Sequence, residues 1–280
     1  MASTARPSTG FAQVNGASLY YEMAGEGHPL VLVHAGIADS RMWDGQFGPF
    51  SKHFRVIRYD VRGFGKSDPP KGSFTHRDDL YQLLRFLKID KANLVGLSMG
   101  GGMGIDFAIE HPDMVAALIP VASGLSGHES SQELKERESK VDAAFKAGDL
   151  ASTVELEIQI WVDGPNRDPS QVDRKVRELI REMDTFTTAR YIRQPMPMPG
   201  TPLKPPAISR LAEIRAPTMI IVGDQDVRDI LEISKLLESG IPNARRVVVP
   251  GAAHMVNMEK PAEFNRLVLE FLQGQASKLS

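Results

Sequence analysis

The sequence predicts an α/β fold, a mostly parallel sheet with helices packed on both faces. Three observations carry that reading. Short apolar runs without polar alternation recur along the chain, as strands buried on both faces require. Segments with helical periodicity stand between them. The 280 residues are 42% hydrophobic and 24% charged, enough to build a sizeable core.

Taken in order, Ala17–Gly25 (ASLYYEMAG) reads as one arm of an opening hairpin. Buried strands are then expected at Pro29–Gly36, Arg55–Asp60, Ala92–Leu97, Val115–Ala122, Pro217–Asp224 and Arg245–Gly251. Leu80, Leu83, Leu84 and Leu87 repeat with helical spacing, behind Thr75 with Asp78 three residues on, a capping-box-like start. Ile230, Ile233 and Leu237 form a second apolar face, stopped by Gly240. Phe264, Leu267, Val268, Phe271 and Leu272 form the last, opened by Pro261 and closed by Gly274.

One block breaks the alternation. Between about Gly124 and Leu203 there is no buried-strand signal. Leu134, Val141 and Phe145 suggest one helix, and Val172, Val176, Leu179, Ile180 and Met183 a stronger one. The segment PMPMPGTPLKPP (Pro195–Pro206) follows, which is neither helix nor central strand. The expected organisation is a core of residues 1–123 and 204–280 with a helical lid, 124–203, inserted in it.

Composition narrows the function. A net charge of -2 and no Lys/Arg run give no footprint for nucleic acid. The absence of cysteine removes disulfides, thiol nucleophiles and Cys-based metal sites. No apolar run reaches the ~18 residues that a membrane span needs. The first ten residues, MASTARPSTG, do not read as a secretory signal, so a cytoplasmic location is expected. The histidines are scattered, without H-x-x-x-H or H-x-H spacing, and neither a metal nor a cofactor is expected.

The motif that carries chemistry is Gly96-Leu97-Ser98-Met99-Gly100. It matches G-x-S-x-G at the end of an expected strand and the start of an expected helix, the context of a nucleophile elbow. Gly100, Gly101, Gly102 and Gly104 then occupy that helix, each costing about 0.8–1.0 kcal/mol relative to Ala. The elbow explains the choice: Cβ atoms flanking the serine would collide with neighbouring strands, and further glycines let the helix lie close to the sheet. No G-x-x-x-x-G-K-[ST] or opening G-x-G-x-x-G points to phosphate binding instead.

A serine needs a base. Of His28, His34, His53, His76, His111, His128 and His254, His254 lies just past a strand's carboxyl end, where ligands gather in such sheets, and follows Ser98 in the expected order. His34 also ends a strand and is taken as a turn-stabilising residue. The base needs a carboxylate. Asp224 and Asp226 both follow the Pro217–Val222 strand, and chemistry alone does not separate them. Asp229 belongs to a first helical turn, and Asp106 to the glycine helix.

Together LVHAG, YDVRGFGKS (Tyr59–Ser67), GLSMGG (Gly96–Gly101), GDQD (Gly223–Asp226) and GAAHMVNMEKP (Gly251–Pro261) resemble the serine hydrolases of the α/β-hydrolase fold over nearly the whole chain outside the lid. The resemblance implies a mostly parallel eight-stranded sheet and a Ser98–Asp226–His254 triad, with Asp226 preferred over Asp224 because the family's acid closes a Gly-x-x-Asp piece. It implies an oxyanion hole from the N–H groups of Met99 and Gly36, with Ile37 the runner-up. The chain departs from the family pattern at Ala35, where a Gly usually follows the His. Asp60, Arg62, Gly63, Gly65 and Ser67 correspond to a structural turn in similar enzymes. Pocket walls are sought in Trp43, Trp161, Met183, Phe186, Met196 and Met198.

The implied activity is hydrolysis of a small carboxylic ester or lactone. HFRVIRYDVRGFGKSD with GLSMGG is similar to 3-oxoadipate enol-lactonases. Cofactor-free perhydrolases and carbon–carbon bond hydrolases of the same fold keep the triad, as do several ligand-binding receptors, and these are the alternatives. Haloalkane dehalogenases and epoxide hydrolases carry Asp at the elbow and are disfavoured. The partner expected is a small molecule, and oligomeric state is not legible.

Overall fold

The computed structural model describes residues 7–194 and 202–276. Eight strands form one sheet in the order β1-β2-β4-β3-β5-β6-β7-β8. β1 (Ser8–Val14) and β2 (Ala17–Ala24) make the antiparallel opening hairpin, and β2 pairs antiparallel with β4 (Arg55–Tyr59). From there the sheet is parallel through β3 (Pro29–Val33), β5 (Ala92–Leu97), β6 (Val115–Val121), β7 (Met219–Gly223) and β8 (Arg245–Val249). β5 is buried along its whole length, which is why it reads as a continuous apolar run.

Helices cover both faces. α2 (His76–Phe86), α3 (Met99–Glu110) and α7 (Arg228–Gly240) pack on one core, around Leu80, Leu84, Ile105, Phe107, Ile233 and Leu237. α1 (Asp44–Ser51) and α9 (Pro261–Ala276) pack on the other, around Trp43, Phe47, Phe50, Phe264 and Val268. Thr75 caps α2 as the sequence suggests, its Oγ1 accepting from Asp78 N–H at 3.1 Å. α9 runs past Gly274, the residue expected to close it, because burial of Phe271 and Leu272 carries the helix through.

Between β6 and β7 the chain makes a helical excursion of α4 (Gln132–Lys146), α5 (Leu150–Ile158) and α6 (Arg174–Arg193). α5 ends in one π turn, Gln159–Asp163. The sequence periodicity gave α4 and α6 but not α5. Side-chain links fasten the excursion to the sheet end, among them the following. Asp229 accepts from Ser131 N–H (2.5 Å) and Oγ (2.6 Å). Arg190 donates to the carbonyls of Gly63, Gly65 and Ser67. Arg167 bonds Glu259 at 2.6 Å.

Candidate active site

Ser98 sits between β5 and α3 with φ 57° and ψ -114°, in the left-handed half of the map that L-residues avoid. Its backbone is fixed from both sides. Its N–H donates to Val121 O at 2.9 Å, and its carbonyl accepts from Gly102 at 3.0 Å and Gly124 at 3.2 Å. The flanking glycines are required by contact: a Cβ on Gly96 would run into the Gly100 carbonyl, and one on Gly100 into the carbonyls of Val33 and His34. Close approach of backbone to backbone thus accounts for the poor helix formers at this point.

His254 follows β8 and is 1% exposed. Its Nδ1 lies 2.9 Å from Asp226 Oδ2 and 3.2 Å from Oδ1. A carboxylate only accepts, so Nδ1 carries a proton, and in the neutral ring the free lone pair is on Nε2. That Nε2 is buried and has no hydrogen-bond partner among the described residues. Asp226 is further held by Val227 N–H, which donates to Oδ1 at 2.8 Å. Asp224, left open beside Asp226 on chemistry, is instead exposed and accepts from Gly251 N–H at 2.7 Å, bracing the turn after β8. The structure therefore brings Asp226 and His254 together, at the same sheet end as Ser98. It closes no hydrogen bond between Ser98 and His254.

Met99 is the first residue of α3, where an N–H has no intrahelical acceptor. Gly36 lies beside it: a Cβ on Gly36 would stand 3.8 Å from Met99 Cβ. Ile37 is 8% exposed. The loop after β3 is held from below by His34, whose Nδ1 bonds its neighbour's carbonyl, Ala35 O, at 2.7 Å while Nε2 accepts Val61 N–H at 2.9 Å. A carbonyl on one side and an N–H on the other fix that tautomer, and burial pushes the ring's pKa down. Ala35 fits this loop fully buried, its carbonyl also accepting from Ala38 N–H at 3.2 Å.

Asp60 accepts from Ser40 N–H at 2.9 Å and Lys66 N–H at 2.8 Å, and its carbonyl from Ser67 Oγ at 2.5 Å. Arg62 forks onto both oxygens of Asp79 at 2.7 Å. This segment is a hydrogen-bonded turn.

The pocket candidates separate. Trp161, in the π turn, lies on the His254 ring, 4.7 Å between centroids at 43°. Trp43 is fully buried 6.0 Å from the Phe264 ring, so it is core rather than a pocket wall: the turn before α1 points it inward onto α9. Met183 is buried too, its Sδ accepting Asp39 N–H at 3.4 Å, which joins α6 to the loop after β3. Phe186 is half exposed under the Arg190 guanidinium and lines an open cavity of about 960 Å³ between α6 and the β2/β4 side, with Tyr20, Lys66 and Glu182 and without Ser98 or His254. Met196 and Met198 lie outside the described residues. Sequence reasoning missed Arg167 and Glu259. Glu259 was inside a quoted motif, but nothing local signals its distant partner. Among the described residues no group of three or more acidic or His side chains is placed to hold a metal ion, and no helix is long and apolar enough to cross a membrane.

Fold and site geometry define a class, and comparison with known proteins agrees. The chain belongs to the α/β hydrolase fold family, whose model matches residues 28–261. It is similar to a 2-hydroxy-6-oxo-6-phenylhexa-2,4-dienoate hydrolase of Comamonas testosteroni, 28% identical with 91% of each chain covered. Among solved structures it is similar to the enol-lactonase from Burkholderia xenovorans LB400, 27% identical with TM-score 0.77 over 94% of this chain and 99% of that one. It is likewise similar to a bromoperoxidase from Bacillus anthracis, 26% identical with TM-score 0.76 over 96% and 100%.

Proposed function

We propose that this chain is a cytoplasmic serine hydrolase that cleaves a small carboxylic ester or lactone through an acyl-enzyme on Ser98. One observation carries the reading: a buried imidazole whose Nδ1 is held by Asp226 while Nε2 has no partner among the described residues, at the sheet end that presents Ser98. Nε2 takes the proton of Ser98 Oγ as the hydroxyl attacks the acyl carbon, and delivers it to the leaving oxygen. Water, activated by the same nitrogen, then releases the acid. The N–H groups of Met99 and Gly36 hold the oxyanion, with donors fixed in place before charge develops. Ser98 and His254 need only approach as substrate seats, since such bonds tighten in the Michaelis complex. The excursion 124–203 is the lid, with Trp161 facing the base. No cofactor enters, and the cysteine-free sequence fits a reducing compartment.

The likeness to an enol-lactonase favours a lactone among the substrates. A second reading, carbon–carbon bond hydrolysis, is favoured by the Comamonas relative, which matches along nearly the full length. Perhydrolysis is supported by the bromoperoxidase likeness alone. The test is a panel of esters of graded acyl length, lactones and vinylogous 1,5-diketo acids, with a serine-directed phosphonate mapped by mass spectrometry. Labelling of Ser98 with multiple turnovers on esters or lactones is expected. Turnover of the diketo acids alone selects the second reading. Labelling elsewhere, or a single turnover with ligand retained as in a receptor, overturns both.

A further inference from the structure

The π turn Gln159–Asp163 leaves the end of α5 with carbonyls that no helical N–H reaches. Arg167 takes two of them. Its Nη2 donates to Val162 O at 2.8 Å and its Nε to Asp163 O at 2.6 Å. Its Nη1 donates to Glu259 Oε2 at 2.6 Å. Glu259 uses its other oxygen to accept the N–H of Ala253, the residue before His254, at 2.9 Å. The Arg167 and Glu259 side chains are only 9% and 6% exposed. Two further contacts lie on the same line. Trp161, inside the π turn, covers the imidazole. Gly164, at φ 79°, comes so near that a Cβ there would stand 2.5 Å from Gln225 O and 3.1 Å from Ala253 Cβ.

We propose that Arg167 and Glu259 are positioning residues for the hydrolysis: they strap the π turn of the lid to the backbone beside His254 and so set the place of the imidazole and of Trp161 upon it. The proposal rests on the assignment of His254 as base. Neither side chain needs to touch substrate. The strap ends on the N–H of Ala253, one residue before the base, at one side and on the Val162 and Asp163 carbonyls, next to Trp161, at the other. A shift of the lid segment therefore becomes a shift of the base relative to Ser98. A misplacement of about 1 Å at a reacting group costs up to about 100-fold in rate. Because the strap makes no contact with the ester itself, its loss falls on kcat rather than KM.

The experiment uses the full chain with Arg167→Met, Arg167→Lys and Glu259→Ala, each checked by circular dichroism and titrated with the phosphonate to count competent sites. The substrate is p-nitrophenyl butyrate. Arg167→Met and Glu259→Ala are expected to lower kcat per titrated site about 10- to 100-fold with KM within about threefold. Arg167→Lys recovers part of the rate, since it restores a cation for Glu259 but cannot also bridge both carbonyls. In a Trp43→Phe background, Trp161 emission changes in Arg167→Met as the indole leaves the imidazole. Unchanged kcat per site in the folded variants, or a loss explained wholly by fewer titratable sites, overturns the proposal. Failure of the parent reading is distinct: the unsubstituted protein would then not be labelled at Ser98. The strap would in that case stand or fall on Trp161 emission, which needs no turnover.

Discussion

At Ser98 the backbone does the positioning, whereas at His254 side chains from distant stretches of chain do it. The serine is fixed by hydrogen bonds from β6 and α3 and by glycines that tolerate carbonyls at contact distance. The imidazole is held by Asp226 after β7, overlaid by Trp161 from the excursion, and its loop is tied by Glu259 and Arg167. The first arrangement is local and rigid. The second is assembled across the chain and depends on where the helical excursion sits. Ser98 on its strained turn has little room for displacement, while His254 is held through contacts that reach into the helical excursion.

The largest effect should come from the rigid side. Ser98→Ala is expected to lower kcat for p-nitrophenyl butyrate by roughly 10⁴-fold or more while leaving circular dichroism and melting unchanged. Substantial turnover in a homogeneous sample would remove the elbow from the chemistry. Next comes the carboxylate pair after β7. Asp226→Asn should cost roughly 10⁴ in kcat by presenting the wrong tautomer to Ser98, and Asp224→Asn less than about threefold. Equal losses would mean that the turn brace and the acid are not distinct.

Gly100→Ala tests whether the glycines are there for space. Its Cβ would meet two carbonyls of the β3 end, neither of which can yield, so a loss of about 3 kcal/mol or more is expected, read by urea unfolding. A near-neutral result would show that the elbow relaxes, and would erase the contrast with His254.

The same contrast decides what the sequence could reveal. The elbow is legible because its requirements are short-range: two glycines, a serine, a strand before and a helix after. β5 and α3 follow from six and twelve consecutive residues. Chemistry alone left Asp224 and Asp226 open and only the resemblance preferred Asp226; that Asp226 faces His254 follows from how the β7 and β8 loops meet. α5 was missed since Val154, Leu156, Ile158 and Ile160 alternate with polar residues, so the local pattern does not read as a helix. Packing against α4 and α6 overrides it. The Arg167–Glu259 pair, 92 residues apart, has no local signature at all.

The helical excursion carries its own sensitivity, and it predicts the smallest effect. Asp184 on α6 is 3% exposed. Thr188 Oγ1 donates to its Oδ1 at 3.1 Å, and its Oδ2 has no partner among the described residues. Burial pushes its carboxyl from 3.8 up to about 7. Burial, with repulsion from Asp184, Glu138 and Asp142, pushes Glu157 on α5 from 4.5 up to about 8. Both are therefore protonated in the folded chain at pH values where the unfolded chain has already released the proton. At these two groups the folded state then binds more protons than the unfolded one, so their contribution to stability falls as pH rises from about 4 to about 8 and levels off above. Asp184→Asn keeps an acceptor for Thr188 without an ionisable proton. It should leave melting at pH 5 nearly unchanged and raise it by a few degrees at pH 8.5. Ser98 labelling by the phosphonate should not follow this curve if the elbow is held by backbone alone. If labelling does rise and fall with the Asp184 titration, Ser98 too depends on the helical excursion, and the two regions are held by one device rather than two.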